Sequence, residues 1–168
     1  LDSALATVSF LKDGVRYERT AFCSHPDNVL VIRFTANKRG KQNLSLRYCP
    51  NPLATGETEV NGGNSLVYHA ALDNNGMRFN VRIKMIARGG KVQRAGGRLS
   101  VKGADEVMFL LTADTDYKMN FDPDFNDPLA YVGVDPDKTT EAWLGAAAKM
   151  DYKRLLDRHL EDYQPIFD

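Results

Sequence analysis

Hydrophobic and polar residues alternate with a period of two over most of the chain, from about Ala4 to Tyr117. This period is typical of β-strands that bury one face. Turns that contain glycine or asparagine separate the alternating runs, and no helical pattern lies between them. The sequence therefore predicts antiparallel strands without crossover helices, and a large antiparallel β-sandwich as the fold.

Two tight hairpins are predicted at Asp13-Gly14 and Asn75-Gly76, because both dipeptides readily adopt the positive φ angles of short hairpin turns. In the strand after the second hairpin, the apolar residues from Met77 to Met85 alternate with polar ones. The pattern predicts one core face and one solvent face, with the solvent face formed by Arg78, Asn80, Arg82 and Lys84. Turns are expected at residues 88–91 (RGGK) and at Gly103, each between short strands.

Two other segments are apolar on both faces, residues 28–36 (NVLVIRFTA) and 106–113 (EVMFLLTA). A strand that is covered on both sides has no solvent face and therefore loses the alternating pattern. We expect these two segments in the middle of the sandwich.

The pattern changes after Tyr117. Residues 122–138 (DPDFNDPLAYVGVDPDK) are rich in Asp and Pro and predict an ordered connection. Helical spacing follows near Lys138–Met150 and Tyr152–Gln164, with Asp135 and Asp151 as N-caps and Pro165 as the stop. The chain is thus expected to divide into a β-sandwich at residues 1–117 and a connection with two helices at residues 118–168.

The last helix carries an apolar stripe at helical spacing and a charged side opposite it. A helix of this length is marginal in water on its own. We expect the stripe to dock on the sandwich through part of its width and to leave an apolar patch, for another domain or for a homodimer. The stripe consists of Tyr152, Leu155, Leu156, His159, Leu160 and Tyr163; the charged side consists of Lys153, Arg154, Asp157, Arg158 and Glu161.

Composition narrows the possible partners. The chain has 168 residues, and its 22 basic residues are scattered and balanced by 22 acidic ones, so neither nucleic acid nor an anionic membrane is an expected partner. No apolar run approaches the roughly 18 residues of a membrane span, and the first residues lack the features of a signal peptide. Any export signal is expected upstream of Leu1. Cys23 and Cys49 predict buried free thiols, with one disulfide between them as the alternative.

Three groups of polar residues are candidates for chemistry. Asp122, Asp124 and Asn126 have the spacing of the first calcium ligands of an EF-hand, but the sixth and twelfth positions of that loop are not met, which favours a solvated loop. Asp114 and Asp116, at the end of a strand, are expected to make capping and turn hydrogen bonds. The three histidines are far apart, and His159 on the stripe is expected to be buried and hydrogen-bonded. No catalytic residue, cofactor or metal is predicted.

Three segments together resemble the N-terminal domain of glycoside hydrolase family 95, the inverting α-L-fucosidases. They are residues 15–40 (VRYERTAFCSHPDNVLVIRFTANKRG), residues 99–117 (LSVKGADEVMFLLTADTDY) and the C-terminal helix. The residues that carry the resemblance are, in the first segment, Tyr17, Arg19, Phe22, Ser24, Pro26, Asp27 and Arg33; in the second, Val101, Gly103, Ala104, Asp105 and Thr115; and in the third, Tyr152, Leu155, His159, Asp162, Tyr163 and Phe167.

The resemblance implies a β-supersandwich followed by linker helices and then by an (α/α)6 barrel that carries the catalytic carboxylate and the asparagine-aspartate base. The chain is expected to begin inside the sandwich and to stop at Asp168, before the barrel. It would then be a scaffold segment, inactive alone, whose stripe together with Phe167 contacts the catalytic domain. The implied substrate of the whole enzyme is a fucosylated glycan, and the implied location is secreted or periplasmic.

Two alternatives remain open. One is a free-standing β-sandwich that binds carbohydrate through exposed aromatic rings, with Tyr48, Tyr68, Phe125 and Tyr131 as candidates. The other is the equivalent domain of another supersandwich glycosidase or phosphorylase, such as a family 65 phosphorylase.

Overall fold

The computed structural model describes residues 2–166. Within this range eight β-strands come first, and two α-helices and a short 3-10 helix (Gln164–Ile166) follow. The strands are β1 (Ala6–Lys12), β2 (Val15–Ser24), β3 (Val29–Ala36), β4 (Gln42–Arg47), β5 (Ala54–Asn61), β6 (Ser65–Leu72), β7 (Arg78–Ala95) and β8 (Arg98–Thr115), and the helices are α1 (Pro136–Ala147) and α2 (Tyr152–Tyr163).

The eight strands form one sheet, in which seven follow the order β1-β2-β3-β8-β7-β6-β5 and β4 pairs with β8 beside this path. All paired strands run antiparallel. The predicted hairpins at Asp13-Gly14 and Asn75-Gly76 are confirmed, since they join β1 to β2 and β6 to β7. β8 pairs with β3 over residues 106–111 and with β4 over residues 98–104. Two different strands therefore share one edge of β8.

The long β7–β8 hairpin bends, and the bend turns the sheet into a sandwich. Leu99 and Phe109 belong to the same buried cluster although ten positions separate them along β8. A straight strand would place them about 33 Å apart, so the two halves of β8 must fold toward each other. The bend coincides with a bulge between Arg88 and Gly89. The predicted antiparallel β-sandwich is confirmed.

Glycines make this bend possible. Gly90 has a φ of +71°, and a Cβ on it would lie 2.5 Å from the carbonyl oxygen of Lys102 on the neighbouring strand. The predicted turns at residues 88–91 and at Gly103 are wrong, because these residues lie inside β7 and β8. The physical reason is that glycines with positive φ next to a bulge bend a strand without ending its hydrogen-bonded ladder.

The middle of the sheet buries both of its faces, whereas β1 at its edge is exposed. Leu110 of β8 contributes to a cluster with Val31, Leu144 and Leu155, which lies between the sheet and the two helices. The next residue toward the N-terminus, Phe109, points to the other face and packs inside the bent sheet. This confirms that residues 28–36 and 106–113, apolar on both faces, lie in the middle of the sandwich.

The predicted solvent face of β7 is wrong in part. Asn80 and Arg82 are 1% and 7% exposed, because α1 covers this face. The alternation along β7 correctly predicts which residues share a face. It does not predict whether a polar face is exposed to solvent, because a helix with matching polar groups can cover it, as α1 does here.

The cysteine prediction is wrong in one respect: Cys23 and Cys49 are free, as predicted, but they are exposed and not buried. Phe22 and Ser24 are buried on the side of the sheet that the helices cover. Cys23 lies between them in β2 and therefore points to the opposite face, where it is exposed.

The C-terminal part agrees with the prediction within a few residues. Residues 118–135 form a connection without strands or α-helices, tied back by a bridge between Tyr117 and Val132. The side chains of Asp135 and Asp151 accept hydrogen bonds from the first turns of α1 and α2, as expected of N-caps. α2 ends at Tyr163, before Pro165.

The bend predicts that Gly90→Ala will destabilise the chain more than Gly97→Ala. Both glycines have positive φ, 71° and 69°, so both substitutions place alanine in the left-handed backbone region, which destabilises the fold by about 1–2 kcal/mol. Only at Gly90 does the added methyl group collide with the neighbouring strand. We expect an extra loss of about 1–3 kcal/mol in the free energy of unfolding in urea. Equal losses would show that the bend does not depend on close contact at Gly90.

The helix-side core predicts a large effect of Leu155→Ala. Leu155 is fully buried, and its truncation leaves a cavity between α2 and the sheet, which typically costs about 2–5 kcal/mol. Leu129→Ala removes the same atoms from a side chain that is 65% exposed and should change stability by less than about 0.5 kcal/mol. Urea unfolding of both variants measures the difference, and a small effect of Leu155→Ala would contradict the described core.

Candidate functional site

The stripe of α2 docks on the sheet through part of its width. Leu155 and His159 are buried, and the other four predicted members are half-buried. Around the helix, all four half-buried residues lie on the same side of the buried pair, so the stripe keeps an accessible apolar margin. These four residues are Tyr152, Leu156, Leu160 and Tyr163. Phe167, the seventh residue of the predicted contact, lies outside the described residues.

His159 serves the packing of α2. Its ring stacks on Phe22 of β2 at a centroid distance of 4.9 Å and on Tyr163 at 5.6 Å. Its Nε2 atom lies 2.9 Å from the carbonyl oxygen of Ser3, which can only accept a hydrogen bond, so Nε2 carries the proton and donates it. The histidine is buried and hydrogen-bonded, as its position on the stripe predicts.

The start of α2 is fixed by an arginine of β3. The guanidinium carbon of Arg33 lies 4.4 Å from the ring centroid of Tyr152, within cation–π range. The same guanidinium makes two hydrogen bonds to Glu106 of β8, at 2.9 and 2.7 Å. The hydrogen bond to Glu106 raises the pKa of Arg33, with a smaller opposing effect of burial.

A second ion pair ties the charged side of α2 to the β2–β3 turn. Arg158 donates to Asp27 at 2.9 Å, and Asp27 also accepts from Ser24 at 2.6 Å. Arg158 is therefore partly covered, although the helical pattern assigns it to the solvent side. With the stripe on one side and this pair on the other, the orientation of α2 about its axis is fixed.

α1 is held by a polar cluster on the face of β7 that was predicted to face solvent. Asp137 of α1 accepts from Arg82 at 2.5 Å and from Asn80 at 3.0 Å. Thr140, one turn later, donates to the side-chain oxygen of Asn80 at 2.8 Å. Asn80 also lies 2.9 Å from Nδ1 of His69 on β6. We call these five residues the α1 clamp.

The α1 clamp has polar side chains, but their hydrogen-bonding groups are used within the fold. Asp137 is its one carboxylate, and glycoside hydrolysis needs two carboxyl groups about 5–10 Å apart around one bond. The clamp therefore has the chemistry of a structural contact between helix and sheet, not of an acid–base pair.

The other acidic candidates also make local contacts. Asp116 is 5% exposed and accepts from the backbone N–H and the Nε of Arg78, at 3.0 and 2.9 Å. Asp114 accepts from the backbone of Thr115, and Asp124 from the backbone of Asn126, both at 2.9 Å. Within residues 2–166, no group of three or more His, Cys, Asp or Glu side chains is arranged to hold a metal ion.

Sequence reasoning missed how much apolar surface the connection exposes. Phe121 and Phe125 are 92% and 86% exposed. The sequence did contain an indication of this exposure. Aromatic residues that stand among Asp and Pro residues lie outside regular strands and helices, so they have no regular element through which to pack into a core. The exposed large apolar residues between the end of β8 and the start of α1 are Tyr117, Met119, Phe121, Phe125, Leu129, Tyr131, Val132 and Val134.

The four aromatic candidates for sugar stacking separate into two pairs. Tyr68 is 2% exposed and its ring lies 4.6 Å from that of Tyr48, which is packed against the core inside the bent sheet. Burial raises the pKa of Tyr48. Phe125 and Tyr131 are exposed. The second pair is therefore the more accessible to a ligand from solvent.

Neither α1 nor α2 has the length and apolar character that a membrane-spanning helix requires.

Comparison with known proteins shows that the chain is similar to part of longer carbohydrate-active proteins. Alpha-L-fucosidase 2 of Arabidopsis thaliana is 27% identical and probable alpha-fucosidase A of Aspergillus niger is 28% identical, each across 100% of this chain. The chain spans 22% of the length of both relatives.

A solved structure supports the fold. A putative kojibiose phosphorylase from the human microbiome superposes on 96% of this chain and 23% of its own, with a TM-score of 0.61 at 11% identity.

The family model of the glycosyl hydrolase family 65 N-terminal domain matches residues 1–120. The resemblance to the N-terminal sandwich domain of a glycoside hydrolase is thereby confirmed, and the chain belongs to the family of glycosyl hydrolase family 65 N-terminal domains.

Proposed function

We propose that the chain is a non-catalytic scaffold segment of a glycoside hydrolase of the α-L-fucosidase type, as in family 95. The observation that carries the proposal is the match to two relatives named as α-fucosidases, over the whole of this chain but only 22% of each relative. Cleavage of terminal fucose from glycans would then take place outside these residues, in an (α/α)6 catalytic domain of a longer polypeptide that is secreted or periplasmic.

The stripe of α2 is the surface we assign to contact with that catalytic domain. Two of its members anchor the helix on the sheet, while Leu156 and Leu160 remain accessible in part. Helices pack on one another through such rows of apolar side chains. A stripe fully buried in its own sandwich would instead have favoured a free-standing module. The accessible margin supports the scaffold.

The same proposal gives the two parts of the chain different roles. Residues 1–117 would supply the rigid sandwich, and residues 118–168 would supply the connection and the helices that lead toward the catalytic domain. Because α1 and α2 are fixed by the α1 clamp, Arg33 and Arg158, they would present the stripe to the next domain in one orientation.

A phosphorylase is the second candidate, favoured by the family 65 model and the putative kojibiose phosphorylase. The two candidates differ in the acceptor of the sugar, which is water in a hydrolase and phosphate in a phosphorylase. The putative kojibiose phosphorylase is 11% identical to this chain, so its similarity is evidence for the fold alone. The two α-fucosidases are 27% and 28% identical and are the nearer in sequence. We therefore favour hydrolysis.

The test of function compares the 168-residue chain with a polypeptide in which the remainder of the Aspergillus niger relative follows it. We expect the longer polypeptide to release fucose from 2′-fucosyllactose without added phosphate, and the chain alone to release none, because it contains no convergent acid and base pair among its described residues. Phosphate-dependent release of a sugar phosphate would favour the phosphorylase instead. Hydrolysis by the chain alone, lost on mutation of one of its own carboxylates, would contradict the scaffold role.

Leu160→Asp tests the assigned contact in the same longer polypeptide. A charge on the accessible margin of the stripe should weaken packing of the catalytic domain, because an unpaired buried carboxylate is costly. We expect at least a roughly tenfold loss of fucose release, since each 1.4 kcal/mol lost at the contact corresponds to a factor of ten. Glu161→Lys, an equally drastic change on the exposed side of α2, is the matched control and should retain activity. Equal behaviour of the two variants would exclude the stripe as the contact.

A further inference from the structure

The connection between sandwich and helices contains a cleft with two tyrosines in its wall. The cleft has a volume of about 290 Å³, and its lining includes Asn75, Asp116, Tyr117 and Tyr131. Small-molecule sites typically begin near ~300 Å³. The size suits one or two sugar-sized rings, whereas a protein domain needs a broad and shallow surface.

The two rings stack on each other inside the cleft. Tyr117 and Tyr131 are nearly parallel, with an angle of 11° between their planes and 5.9 Å between their centroids. They are 50% and 38% exposed, so solvent reaches the pair. Tyrosine combines an apolar ring face with a polar hydroxyl group and suits ligands that have both kinds of surface.

The backbone holds both tyrosines in place before any ligand binds. Lys118, next to Tyr117, donates its N–H to the carbonyl oxygen of Tyr131 at 2.7 Å. Asn120 donates to the carbonyl oxygen of Ala130 at 3.1 Å. Because this backbone is already ordered and the two rings stack on each other, little conformational entropy is lost on binding, which favours affinity for a small ligand.

Fixed polar groups lie beside the rings. The carboxylate of Asp116 is held by Arg78 through two hydrogen bonds, and an ionised carboxylate has lone pairs for about two more. The side-chain oxygen of Asn75 accepts from the N–H of Met77 at 3.0 Å, which fixes the orientation of the amide. An apolar peptide in the cleft would desolvate these groups without replacing their hydrogen bonds.

We infer that the cleft of Tyr117 and Tyr131 binds a neutral pyranose sugar. The apolar C–H face of the sugar would lie on a tyrosine ring, and its hydroxyl groups would donate to Asp116 or pair with Asn75. The choice of a sugar rests on the proposed function, and the inference extends it. The sandwich segment would hold a glycan itself, in addition to supporting a catalytic domain.

The test titrates the 168-residue chain with methyl α-L-fucopyranoside and follows the aromatic resonances by NMR. We expect saturable binding that Tyr131→Ala and Tyr117→Ala each weaken by roughly tenfold, which corresponds to about 1.4 kcal/mol, because each removes an aromatic ring from the cleft. Tyr131→Phe keeps the ring and should retain most of the affinity. Phe125→Ala is the matched control, because it removes a more exposed ring of the same connection outside the cleft, and should bind as the unmodified chain.

Several results would overturn the inference. Absence of saturable binding would do so, as would an equal loss in Phe125→Ala, which would indicate general apolar attraction. Equal binding of mannitol, an open-chain polyol, would remove the requirement for a ring. If Tyr131→Ala changed only self-association of the chain and not sugar binding, the cleft would be a protein contact.

The same titration separates this inference from the proposed function, because it needs no helical domain. Sugar binding by the chain, combined with a longer polypeptide that releases no fucose, would contradict the proposed function alone. Fucose release without sugar binding by the chain would contradict the cleft alone. The amide spectrum of each variant shows whether it is folded, and Tyr117→Ala tests the cleft if Tyr131→Ala fails to fold.

Discussion

The ion pair between Arg82 and Asp137 determines where the helices lie on the sheet. The Arg82 side chain is almost fully buried, while that of Asp137 keeps about a third of its surface exposed. A partly buried pair of this kind adds little net stability, but the loss of one partner leaves a charge without compensation. The pair therefore acts mainly by selecting one position of α1, and that position then closes the helix-side core around Leu144 and Leu155.

The position of α1 has consequences for the rest of the C-terminal part. α2 starts only a few residues after α1 ends, so its placement on β2 follows from that of α1 and is then secured by Arg33 and Arg158. The accessible margin of the stripe and the connection with the tyrosine cleft lie on either side of α1 in the sequence. The position of the stripe thus depends on the α1 clamp, whereas the cleft is held by the backbone hydrogen bond between Lys118 and Tyr131.

Local chemistry predicts much of this fold from the sequence. Asp13-Gly14, Asn75-Gly76 and the caps Asp135 and Asp151 each act within a few residues, so their turns and helix starts can be derived without knowledge of the tertiary structure. The apolar positions of β3 and β8 likewise show that both faces of the sheet are covered. The stripe of α2 is periodic enough for its buried side to be predicted.

The errors occur where distant segments decide the outcome. Asn80 and Arg82 are buried because α1, more than 50 residues later, brings Asp137 and Thr140 onto them. Gly89 and Gly90 have the sequence of a turn, but pairing with β8 keeps them in a bent strand. The cleft of Tyr117 and Tyr131 joins residues from the β6–β7 turn and from both ends of the connection, and local sequence does not report such proximity.

Hydrogen exchange of the chain with Arg82→Met tests most directly whether the Arg82–Asp137 pair holds the helices in place. We expect amide exchange in α1 and α2 to increase by at least about tenfold while the β7–β8 ladder stays protected. Arg78→Met, the same substitution on the same strand at an arginine that pairs with Asp116 instead, should leave the helices protected. Unchanged protection of α1 and α2 in Arg82→Met would contradict the account.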